Sequence, residues 1–229
     1  MQRIVLLIFL FFFSFGHAPV AKEYTSISET SDDRRLYEEL GLSGKVGFAA
    51  FEQALEGYGE IHWKQKEVLT LIDFTKPSTQ ERMYVIDMAR RKVLFSTHVA
   101  HGRNSGDNYA TSFSNRSGSY QSSLGFYLTE NTYIGRNGYS LVLDGLEPGI
   151  NDNAKARAVV MHGAAYADPS FAVAQGRLGR SLGCPALPEA LNRKVIDAIK
   201  GGSVLFIYAD NEDYLAQSSV LSSRPAGFL

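Results

Sequence analysis

From about residue 67 the chain breaks into short runs of β-branched and aromatic residues separated by turn formers, a texture that only a sheet of short strands satisfies. Val68 to Phe74, Met83 to Met88 and Val93 to Val99 are the first three such runs. Lys76-Pro77-Ser78 supplies a turn between the first two, and the charged Arg90-Arg91-Lys92 tightly connects the second and third, so the opening strands form a meander. Strands resume at Leu124 to Leu128 and Thr132 to Ile134, and Asn137-Gly138 supplies a hairpin turn into Ser140 to Leu143. Ala158 to Met161 and Ser203 to Tyr208 complete the set.

Helices frame these strands. Leu36, Tyr37 and Leu40, then Phe48, Phe51, Leu55 and Tyr58, recur at helical spacing and predict two short N-terminal helices that end at Gly41 and Gly59. A short helix is expected over Pro169 to Ala174. A longer amphipathic one is expected over Pro188 to Lys200, with Leu191, Val195, Ile196 and Ile199 on one face and Gly201-Gly202 as its stop. The fold class that follows is mixed α/β and β-rich, with one principal domain over residues 67–209, a linker and helices over 22–66 and a C-terminal tail over 210–229.

The N-terminus has a separate purpose. Arg3 precedes the apolar run Ile4 to Phe13, and Phe15, Gly16, His17 and Ala18 follow, the pattern of a signal peptide over residues 1–21. Ala18 and Ala21 are the small-residue cleavage candidates, each with Pro19 at an awkward position. The run is shorter than the roughly 20 apolar residues a permanent bilayer helix needs, and no second run follows, so no stable membrane span is expected in the mature chain. With 23 basic against 24 acidic side chains, and no basic run interleaved with aromatics, the charge pattern gives nucleic acid nothing to bind.

Composition matters most at its rarest member. The chain has one cysteine, Cys184, which cannot form an internal disulfide, so export would expose an unpaired thiol to an oxidising compartment. A small buried hydrophobe and a reactive thiolate are the two readings of such a residue. His162 ends the strand Ala158 to Met161 and projects into whatever cleft the next loop shapes, where an imidazole can take the thiol proton. Gly183 lets the chain approach tightly beside Cys184, and the Cys184 backbone N–H is the natural donor to a developing oxyanion. His98 and His101 lack the third and fourth partners a zinc site needs, since His62 and His162 are the only other mature histidines, and no metal is expected.

The string Val159-Val160-Met161-His162-Gly163, followed after a loop by Ser181-Leu182-Gly183-Cys184, resembles the signature of L,D-transpeptidases of the YkuD-like superfamily. The preceding strands, and the polar loop Gly102 to Gly118 that leads to Leu124-Gly125-Phe126, resemble that domain's order over about residues 67 to 209. Leu182 and Ala186 stand where many members carry a basic residue, which marks a divergent branch.

The resemblance implies a catalytic β-sandwich or meander with short N-terminal helices and a helix after the cysteine. It also implies a periplasmic murein L,D-transpeptidase acting on peptidoglycan stem peptides, without a cofactor. Cys184 would attack the carbonyl of the third stem residue and expel the terminal D-alanine. An amine from a second stem would complete a 3→3 cross-link, whereas water would make the protein an L,D-carboxypeptidase or amide hydrolase. A third reading is a non-catalytic wall-binding module. Substrate contacts are expected among Gly163, Arg180, Ser181 and Tyr120. For Arg180 the alternative is a solvated surface position, for Ser181 a hydroxyl that merely closes the turn, and for Tyr120 a place in the core.

Overall fold

The computed structural model describes residues 31–221, so the expected signal peptide and most of the linker after it lie outside the described residues. Eight strands form one mixed sheet: β1 (Val68–Asp73), β2 (Met83–Asp87), β3 (Lys92–Thr97), β4 (Gly125–Gly135), β5 (Gly138–Gly145), β6 (Val160–Gly163), β7 (Ala186–Leu187) and β8 (Val204–Tyr208). Their order across the sheet is β3-β2-β1-β8-β4-β5-β6-β7. Pairing is antiparallel except between β1 and β8 and between β6 and β7. Ala100, just beyond β3, bridges to Ala186 of β7, so the two sides of the sheet curl until they meet.

The central strands are continuous hydrophobic runs because both of their faces are covered. Val204, Leu205, Phe206, Ile207 and Tyr208 are all buried, as is every residue of β2, whereas β3 at one side of the sheet is exposed or half-buried until its last residue, Thr97. The first helix, α1, covers residues 31–39 of the described chain. Helix α2 (Phe48–Glu60) lies against β1 and β8. It crosses so closely that a β-carbon on Gly57 would run into the Phe126 ring, which itself stacks on Phe206 with centroids 4.1 Å apart. Helix α3 (Pro169–Gln175) is capped by the Asp168 carboxylate, and α4 (Glu189–Ile199) buries Val195, Ile196 and Ile199 against β5 and β6.

The structure departs from the sequence-based expectations in three places. The runs 124–128 and 132–134 are one strand, β4, with a bulge where its pairing with β5 shifts between Thr129 and Thr132. At the bulge the Thr129 and Glu130 carbonyls accept the N–H groups of Gly202 and Gly201, so the interruption is where the turn after α4 docks. Ala158 is not in a strand: its φ of +54° belongs to a left-handed turn, and β6 begins at Val160. The expected tail contains a helix, α5 (Glu212–Gln217), whose first turn is acidic and whose N-cap, Asn211, accepts the Tyr214 N–H at 2.7 Å. It is moored by Glu147, a wholly buried carboxylate that accepts the Phe126 N–H at 2.7 Å and the hydroxyls of Tyr214 and Ser218.

The long polar loop between β3 and β4 is also anchored from beneath. Arg82 is buried and donates through Nε and Nη2 to the Val99 carbonyl at 3.0 and 2.8 Å, and through Nη1 to the Lys76 carbonyl at 3.0 Å. Its Nη2 also reaches Nδ1 of His101 at 2.8 Å. A guanidinium only donates, so Nδ1 is the acceptor and the ring proton sits on Nε2. Burial, together with the like charges of Arg82 and Arg180, pushes His101 down to about 3 and keeps it neutral.

A pH effect follows. An unfolded histidine takes up its proton near pH 6.5, but the native ring refuses it until about pH 3, so this group's contribution is present above pH 6.5 and lost as acid is added. Urea unfolding should show about 2–3 kcal/mol less stability from this group at pH 4.5 than at pH 7. The difference between those two pH values should shrink by that amount in His101→Gln. An unchanged difference would show that the ring titrates normally in the native state.

Candidate active site

Parallel pairing of β6 with β7 sets His162 opposite Ala186, and the His162 N–H points to the Pro185 carbonyl at 3.4 Å. The turn that carries Cys184 therefore runs beside the start of β6. Its Sγ accepts the Val160 N–H at 3.4 Å and lies 3.7 Å from the Ala158 carbonyl, to which the thiol donates. The His162 ring makes a different contact, from Nδ1 to the Gly163 carbonyl at 2.9 Å. A carbonyl can only accept, so Nδ1 carries the proton and Nε2 is left as the basic nitrogen. The backbone of Gly163 thus does for His162 what a carboxylate does in many triads, fixing tautomer and ring orientation.

Both side chains are buried, His162 at 5% and Cys184 at 9% exposure. Burial pushes the Cys184 thiol up, against the opposing pull of the Val160 N–H, the Arg157 charge and its own backbone N–H. Tyr166 is pushed up to about 12 by burial and by a Cys184 thiolate beside it.

Gly183 has a φ of +127°, a conformation that side-chain-bearing residues rarely adopt. A β-carbon there would lie 2.9 Å from the Gln121 carbonyl and 3.4 Å from Nη2 of Arg157. The Gly183 N–H is spent on Ser181 Oγ at 3.0 Å, and its carbonyl accepts from Ser122 Oγ at 3.2 Å. The Ser181 hydroxyl in turn donates to the Cys184 carbonyl at 2.6 Å, so it closes the turn that presents the cysteine. The Ser181 N–H donates to the His101 carbonyl and the Ser181 carbonyl accepts the Arg103 N–H, which ties this turn to the anchored polar loop.

The other sequence-predicted residues have contacts of their own. Arg180 donates to the Gly106 carbonyl at 3.0 Å and pairs with Asp107 at 3.3 Å, in company with Arg177. Tyr120 is at 36% exposure on the loop, with the Arg103 guanidinium 4.2 Å above its ring. Gly163 packs against Asn192 of α4. His98 and His101 do not come together at the site: His98 faces the Thr79 carbonyl, and His101 is the partner of Arg82. Sequence reasoning missed Arg157 and Tyr166. Arg157 stands in the polar stretch Asn151 to Arg157, which reads as a solvated turn, and nothing local signals that its guanidinium turns inward. A cavity of about 200 Å³ lined by Phe113, Leu124, Ile150 and Tyr214 lies apart, without Cys184 or His162 in its wall.

A family model described as the L,D-transpeptidase catalytic domain matches residues 42–208, well over half of the chain. No curated protein matches. Among solved structures, an L,D-transpeptidase from Mycobacterium smegmatis is 15% identical with a TM-score of 0.38, over 62% of this chain and 59% of that one. The helical cell shape determining protein Pgp2 from Campylobacter jejuni is 13% identical with a TM-score of 0.43, over 66% of this chain and 50% of its own. L,D-transpeptidase 1 of Mycobacterium tuberculosis is 12% identical with a TM-score of 0.36, over 62% of each chain. The chain thus spans between half and two-thirds of the length of these structures.

Proposed function

The chain belongs to the L,D-transpeptidase catalytic domain family, and from that premise we propose that it is a murein L,D-transpeptidase whose nucleophile is Cys184 and whose base is His162. The Cys184 thiol gives its proton to Nε2 of His162, and the thiolate attacks the carbonyl carbon of the third residue of a tetrapeptide stem. The carbon–nitrogen bond to the terminal D-alanine breaks, and the imidazolium returns the proton to the departing amine. An amine of a second stem then displaces sulfur from the thioester to give a 3→3 cross-link; water in its place gives carboxypeptidase action. The reaction belongs outside the cytoplasm, a placement supported by the apolar N-terminal run that reads as an export signal.

One observation carries the reading: the Nδ1 contact of His162 with the Gly163 carbonyl leaves Nε2 as the acceptor, on the strand whose first N–H group already holds the Cys184 sulfur. The burial of Cys184, with its thiol pushed up, favours a second reading, a wall-binding module that performs no chemistry.

Mass spectrometry of the protein incubated with disaccharide-tetrapeptide separates the two. Release of D-alanine with a dimeric 3→3 product is the expected result. Release without dimer would reassign the protein as a hydrolase acting through the same thioester. An unchanged tetrapeptide together with a Cys184 that resists iodoacetamide would sink the catalytic reading and leave the module.

A further inference from the structure

We propose that Arg157 is the positioning residue of the Cys184 nucleophile, clipping the polar loop over the Gly183-Cys184 turn and holding a fixed positive charge beside the sulfur. The inference deepens the nucleophile reading above and rests on it.

The geometry starts from a strained residue. Ala158 at a φ of +54° turns the chain so that its own carbonyl and, after one residue, the Val160 N–H converge on Sγ, at 3.7 and 3.4 Å. Arg157 is the residue just before that turn, and its guanidinium reaches into the polar loop. Nη1 donates to the Ser114 carbonyl at 2.7 Å and to Ser123 Oγ at 2.5 Å. Nη2 donates to the Gln121 carbonyl at 2.7 Å and to Ser119 Oγ at 3.3 Å. That same Nη2 lies 3.4 Å from where a Gly183 β-carbon would stand, so the guanidinium rests in contact range of the turn that carries the cysteine.

Two consequences follow from the acceptors. All four lie within residues 114–123, so one side chain staples the loop at both ends of that segment to the residue preceding the sulfur's cradle. All four are also neutral oxygens, so none of these hydrogen bonds cancels the cation. A uniformly held charge next to a buried sulfur acts on the thiolate far more than on the neutral thiol. The mutual electrostatic pull between Arg157 and Cys184 agrees with this placement, since each group's titration is shifted by the charge of the other.

The test is the titration midpoint of Cys184, followed by ultraviolet thiolate absorbance with Cys184→Ala as the blank. This readout needs neither reagent access nor turnover. In Arg157→Met, with folding confirmed by circular dichroism, the midpoint should rise by about one pH unit, which is about a tenfold loss of thiolate at any pH below it. Arg157→Lys should restore most of that shift, because it returns the charge without the four-point staple. An unmoved midpoint in folded Arg157→Met would overturn the proposal, as would a midpoint equally raised in Met and Lys variants. If Arg157→Met does not fold, Arg157→Gln, which keeps a donor for the Gln121 carbonyl, is read by the same criterion. A wild-type protein that leaves tetrapeptide untouched would sink the transpeptidase reading alone, while the midpoint still decides the role of Arg157.

Discussion

Cys184→Ala is expected to lower D-alanine release from a tetrapeptide stem by at least about three orders of magnitude while leaving the fold in place. The two halves of this result have separate causes. Chemistry is lost because no neighbour can substitute for the sulfur: Ser181 Oγ is engaged with the Cys184 carbonyl, and Ser122 Oγ with the Gly183 carbonyl. Stability is nearly kept because only one atom is removed, and the Val160 N–H loses a single sulfur acceptor, at a cost of about 1 kcal/mol. Mass spectrometry of the released product and a thermal melt of the same preparation check the pair. Residual turnover within about tenfold of wild type would show that the covalent intermediate is not on Cys184.

The largest effect on stability is expected at a residue that touches no substrate. Arg82→Met should cost about 3–5 kcal/mol in urea unfolding. The guanidinium satisfies the Val99 carbonyl twice, the Lys76 carbonyl once and Nδ1 of His101, and it lies 4.8 Å from the centroid of the Phe74 ring. Burial pulls Arg82 down to about 9, still above neutral pH, so the native side chain is a cation that depends on those acceptors. Methionine fills much of the volume but leaves all three groups buried without a donor. The loss should extend to function, because the His101 carbonyl holds the Ser181 N–H in the turn that carries the cysteine. A cost below about 1 kcal/mol would mean that water replaces the guanidinium at little expense.

Much of this architecture could be read from the residues, because burial leaves a local trace. The three-strand meander, the helix after the cysteine and the strand ending in His162 follow from runs of apolar residues and from the glycines and prolines that stop them. Ser203 to Tyr208 was legible as a strand, but nothing in it announces that it pairs with β1 on one side and β4 on the other. Pairing partners far apart in sequence are chosen by fit across the whole sheet, which a local pattern does not encode. The same limit applies to the site. Cys184 and His162 stand out by residue type and by the glycines beside them. Arg82, Glu147 and Arg157 read as surface charges, since the acceptors and donors that allow them inside come from distant loops. Asn211-Glu212-Asp213 did carry a capping signal for α5, obscured by the brevity of the helix.

The position of β8 bears on the order in which the protein can come into being. It is the last strand among the described residues, yet it sits in the middle of the sheet, between β1 and β4. Without residues 204–208 the halves β3-β2-β1 and β4-β5-β6-β7 would be joined only through the Ala100–Ala186 and Gly102–Ser181 bridges, and β1 and β4 would each present a hydrophobic edge without a partner. The sheet therefore closes through its middle only when β8 is inserted between the two halves.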